Sequence, residues 1–158
     1  MRKDDGMTAL MTLEPDARRS VLGLLACMAG ADGDVSDEER EALRGAELAL
    51  GLPEGSCLTV PTLDEIPLSH LDRKSRLLAY AGAVWMMLAD GLTLRGESSL
   101  LADLAERLHV GPDMARFLGS FARWVRTETD LPWHREAELL FTEAARRLAR
   151  VEAHRRAA

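Results

Sequence analysis

The chain has 158 residues, of which 47% are hydrophobic, 29% charged and 4% aromatic, and its formal net charge is −6. That length is enough for one domain with its own core, and the acidic balance excludes nucleic-acid binding across a broad basic surface. Ala, Leu, Arg and Glu dominate while β-branched residues are scarce, so composition predicts an all-α fold.

Residues 1–12, MRKDDGMTALMT, are expected to form a flexible segment; no apolar run or small-residue cleavage site of a secretory signal follows their charges. The first helix is predicted over residues 15–31, with Pro15 at its first position and Gly33 as a left-handed stop. The second begins after Ser36 and runs to residue 50, ended by Gly51 and Pro53. Residues 51–70, GLPEGSCLTVPTLDEIPLSH, read as irregular with one short helical turn over 62–66. Further helices are predicted over 71–89, 96–108, 112–126 and 132–150, with 151–158 as a frayed basic tail. The longest unbroken apolar run, residues 77–89, has 13 residues and is too short to span a bilayer, which makes a cytoplasmic protein the expectation. The two cysteines, Cys27 and Cys57, lack CxxC spacing and are read as free thiols.

Two segments repeat. AGADGDVSDEE at 29–39 and MLADGLTLRGE at 87–97 each follow an apolar run, and the copies stand 58 residues apart. In that register Met28, Ala31, Asp32, Gly33, Glu39, Leu43 and Leu50 meet Met86, Ala89, Asp90, Gly91, Glu97, Leu101 and Leu108. Each unit, about 15–55 and 72–114, is an apolar helix, an Asp-Gly turn, an amphipathic helix and a proline-bounded stop. The expected architecture is one domain, 13–150: a bundle of about six to seven helices in which two hairpins pack around an internal pseudo-twofold.

The Asp-Gly corners admit two readings. In the first they are architecture: Asp-Gly is a common turn, and Ser36 with Glu39 forms a capping box. In the second they hold a hard cation, because Asp32 and Asp90 stand at helix C-termini where the macrodipole disfavours an anion. Glu97 also recurs although Leu94 replaces the capping serine. Carboxylates around a tight turn suit Ca²⁺ or Mg²⁺ better than Zn²⁺. A functioning EF-hand is not expected, since its first and third ligand positions would fall on Met28 and Gly30.

These ADGDVSDEE and ADGLTLRGE segments resemble the duplicated signature of the TerB-like family of tellurite-resistance proteins, over about residues 15–114. The second copy departs from it at Leu92, Leu94 and Arg95. The resemblance implies an all-helical, pseudo-symmetric, non-enzymatic module in stress or tellurite resistance. It also implies membrane-linked or co-chaperone-like partner complexes, and metal ligation by Asp32, Asp34 and Glu39, with Asp90 and Glu97 as the second set.

Trp85, Met86 and Met87 are expected in the core. Phe117, Phe121, Trp124 and Val125 recur at helical spacing and are core too, unless the last helices leave part of that face as a docking groove. Arg146, Arg147 and Arg150 form a basic stretch read either as a partner or anionic-membrane contact or as a solvated helix end. The four histidines have no zinc spacing, and no nucleophile stands beside a base, so no enzyme is expected and no small-molecule substrate. The functional expectation is a TerB-like module binding a divalent cation weakly. The alternative is a metal-free protein–protein adaptor.

Overall fold

Pro15 opens α1 (Pro15–Ala29), where its missing N–H is no loss, and Asp16 adds favourable charge to the first turn. The structure, a computed structural model, describes residues 13–31, 33–56, 62–89 and 95–157, with 95–98 in backbone alone. Ser36 caps α2 (Asp37–Ala49) and Asp72 caps α3 (Arg73–Met87), accepting a hydrogen bond from the Ser75 N–H. Those Ser75 bonds hold the Asp72 carboxyl below its usual pKa. There follow α4 (Arg95–Arg107), α5 (Pro112–Glu128) and α6 (Trp133–Ala157). Among the described residues there are six α-helices and no strand, packed as a bundle.

The apolar helices occupy the middle. α1 and α3 pack against each other, and α3 also touches α2, α4, α5 and α6. Val21, Leu24, Leu25 and Met28 of α1 and Leu78, Trp85 and Met86 of α3 are all fully or almost fully buried. Each such large side chain contributes about 1.5–3 kcal/mol on leaving water. α2 crosses closest to α6. A Cβ at Gly45 would stand 2.7 Å from backbone atoms of Trp133 and His134, so only glycine permits that approach.

Within 51–70, the described residues are less irregular than the sequence predicts. Besides the expected turn, here a 3-10 helix at Leu63–Glu65, a second 3-10 helix forms at Leu68–His70. The segment is tied down by Leu63, Ile66 and Leu71, which are buried, by Ser20 Oγ donating to the Pro67 carbonyl at 2.9 Å, and by the Gly55 N–H donating to Glu47 at 3.0 Å. At the other end, α6 does not stop near 150. It continues to Ala157, because the 151–157 stretch contains neither glycine nor proline and is rich in helix-favouring Ala, Arg and Glu. Residues 1–12 and Cys57 lie outside the described residues, whereas Cys27 is a free, buried thiol.

α2 and α4 close in the same way. The Leu52 N–H reaches the Glu47 carbonyl at 3.0 Å and the Gly51 N–H reaches Leu48 at 3.0 Å. At the end of α4, the Val110 N–H reaches Ala105 at 2.9 Å and the His109 N–H reaches Glu106 at 3.1 Å. This paired closure needs a left-handed residue just past the helix. Gly51 supplies it at φ 69°, but the second closure places His109 there, at φ 56°.

A Cβ in the left-handed region costs roughly 1–2 kcal/mol, partly offset by the extra entropy glycine loses on folding. His109→Gly is therefore expected to raise stability by about 0.5–1 kcal/mol, seen as a higher urea midpoint at unchanged slope. A lower midpoint would show that the imidazole makes a stabilising contact worth more than the backbone strain.

Candidate functional site

The first acidic corner is closed by hydrogen bonds from its own helix. Gly33 takes φ 99° in the turn after α1, and its N–H reaches the Gly30 carbonyl at 3.0 Å. Ser36 Oγ accepts from the Glu39 N–H at 3.1 Å, while Glu39 Oε1 accepts from the Ser36 N–H at 3.0 Å. That is the full capping box, and it holds Glu39 at 1% exposure. Asp34, Asp37 and Glu38 are exposed around it. Asp32, Asp90 and the Glu97 side chain lie outside the described residues, so of the five expected cation ligands only Asp34 and Glu39 are placed. Among the described residues no three His, Cys, Asp or Glu side chains converge as a metal-binding group.

The second feature is a groove along α5 and α6. Phe117 is 37% and Trp124 47% exposed, two turns apart on α5, while Phe121 between them is buried. With Asp113, Arg116, Ser120 and Arg147 they line an open groove of about 570 Å³. The Arg147 guanidinium carbon sits over the Phe121 ring, 4.5 Å from its centre, at the groove wall. Arg150, Val151, His154 and Arg155 line a further depression on α6, about 530 Å³ in volume. Of the three expected partner-contacting arginines, Arg147 and Arg150 belong to these depressions, and Arg146 pairs instead with Glu143.

A third feature is one that sequence reasoning missed. Glu136, only 1% exposed, accepts a hydrogen bond from the Trp85 indole N–H at 2.9 Å and faces Arg126 at 3.5 Å. Arg126 also stacks 4.3 Å above Trp133 and donates to the Ala89 carbonyl at 3.4 Å, at the end of α3. The signal available was Glu136 itself, a carboxylate on the same face as Ala137, Leu140 and Phe141.

Burial is the main influence on Glu136 and raises its pKa above the ordinary 4.5, against the opposing pull of the Trp85 hydrogen bond and of Arg126. The folded state thus holds this proton more tightly than the unfolded chain does. The group's contribution is complete below the ordinary value and is lost as pH rises through the raised one. Relative to Glu136→Gln, the wild type is expected to lose stability as pH climbs above about 4.5, in urea midpoints collected between roughly pH 4 and 8. Parallel profiles would mean that ionising Glu136 costs folding nothing.

Compared with models of known protein families, with curated proteins and with solved structures, the chain has no match.

Proposed function

We propose that this chain is a non-enzymatic helical adaptor that binds a protein partner in the groove between α5 and α6. The observation that carries the reading is the pair Phe117 and Trp124, both left partly in water beside Arg147. Aromatic and arginine side chains are the anchors most enriched at protein interfaces, and a helix face lined this way suits a docked segment. Its setting in a stress-response or tellurite-resistance assembly, membrane-linked or co-chaperone-like, comes from the sequence resemblance to TerB-like proteins.

The internal pseudo-twofold belongs to the same proposal. In its favour, Pro15–Ala29 and Arg73–Met87 begin and end 58 residues apart, as do Asp37–Ala49 and Arg95–Arg107. The closing hydrogen bonds obey the same offset: Leu52 to Glu47 against Val110 to Ala105, and Gly51 to Leu48 against His109 to Glu106. Bounds and caps set by different side chains agree in one register, which is the pattern a duplicated hairpin leaves.

A photoreactive phenylalanine at position 117 tests the docking reading in the cells that make this protein. The expected result is one adduct of defined mass, absent when the same group stands at Arg40 on α2 and lost on adding Trp124→Ser. Equal adducts from both positions, or adducts indifferent to Trp124, would overturn it.

The cation at the first corner, through Asp32, Asp34 and Glu39, is a separate reading, supported by the density of acids over 32–39. Melting of the metal-stripped chain separates the two. The adaptor reading expects no change with millimolar Ca²⁺ or Mg²⁺. A rise of roughly 5–10 °C, lost in Asp32→Asn, would place a cation there, as saturation near 100 times Kd adds about 2.7 kcal/mol.

A further inference from the structure

Several arginines elsewhere in the bundle have a carboxylate partner. Arg107 pairs with Asp64 and Asp103, Arg126 with Glu136, and Arg146 with Glu143. Among the described residues no carboxylate comes within 4 Å of Arg147 on the groove wall, nor of Arg150 and Arg155 further along α6. Arg116 meets Asp113 only at 3.8 Å, with both side chains almost wholly in water, an arrangement worth little and easily exchanged. In a chain of net charge −6, the wall of the groove thus carries Arg147 without a carboxylate partner, and the next turn of α6 carries Arg150 in the same state.

We infer that the occupant of this groove is an acidic amphipathic helix of a partner protein, seated on Phe117 and Trp124 with its carboxylates against Arg147 and Arg150. The inference rests on the docking reading above and supplies the chemistry of what docks. Phe117 and Trp124 are seven residues apart on one helix, about 10.5 Å along its axis. Apolar anchors at i, i+3 or i+4, and i+7 of a second helix repeat at the same pitch. Arg147 and Arg150 follow one another along α6, so carboxylates one turn apart on the docked helix meet successive guanidinium groups. The guanidinium over Phe121 brings two parallel N–H donors for a bidentate carboxylate, which a lysine in that place would not offer. A lipid surface fits less well: the aromatic rings line a concavity, and the acidic remainder of the chain is repelled by anionic headgroups.

The test titrates the full chain with two labelled helical peptides that share leucines at i, i+4 and i+7, one with Glu and the other with Lys at every remaining position. Vesicles of phosphatidylcholine with one-quarter phosphatidylglycerol are run alongside. The expected result is at least about tenfold tighter binding of the acidic peptide, falling with salt. Both Trp124→Ser and the double variant Arg147→Glu/Arg150→Glu should weaken it about tenfold. Melting temperatures of the variants confirm that each remains folded. Equal affinity for both peptides, lost in Trp124→Ser, would overturn the acidic partner and leave the groove as a docking site. Acidic-peptide binding that ignores Trp124→Ser would overturn both. Binding to vesicles with neither peptide bound would replace the partner helix by a membrane, and no binding to any probe would overturn the acidic-helix chemistry.

Discussion

Trp85 sets the terms for the bundle. Its ring is wholly buried in the helix that touches every other, and a buried indole N–H needs an acceptor. The acceptor is Glu136 on α6, which brings a carboxylate into the core. That carboxylate in turn needs a cation, and Arg126 comes from α5, packed over Trp133. Trp133 completes the set by meeting Trp85 edge-on, at 5.8 Å between ring centres and 75° between planes. One indole proton thus organises three helices. Removing Glu136 outright would leave the N–H orphaned at a cost of about 1–3 kcal/mol, whereas replacing the whole polar set by well-packed apolar residues need not destabilise. Arrangements of this kind specify which helices meet more than they add to stability.

Much of the fold was readable because helix ends are local chemistry. Pro15, Ser36, Gly51 and Pro112 each act on residues within one turn, and the observed bounds fall close to where they indicate. The 3-10 helix at Leu68–His70 was not readable, since it depends on Pro67 meeting Ser20 across 47 residues. Neither was the role of Glu136. A lone carboxylate on an amphipathic helix is ordinarily a surface residue, and its partner Trp85 is 51 residues away. The aromatic face of α5 was legible as a face, through Phe117, Phe121, Trp124 and Val125. How much of it α3 and α6 would cover depends on the width of neighbouring helices, which spacing does not encode. Phe121 and Val125 went inside, while Phe117 and Trp124 stayed at the edge.

The acidic corner illustrates how one residue serves two plausible chemistries. Glu39 is needed by the Ser36 N–H as the reciprocal half of a capping box, and that use is satisfied within its own helix. Of the residues the sequence offers as ligands, Glu39 takes part in a helix start in three dimensions. The two closures at residues 51 and 109 make the complementary point. The backbone path is kept even where histidine has to take the left-handed conformation that glycine prefers, so the geometry of the turn outranks the cost of the residue in it.

The Arg126 link also fixes the shape in which the groove meets its surroundings. α5 is held to the end of α3 through the Ala89 carbonyl and to α6 through Glu136, so parting the helices that wall the groove would break part-buried polar contacts. For the docking proposed above, such a cleft is preorganised: little of the interaction energy would go into ordering the receptor, and discrimination would follow from fit to an existing template.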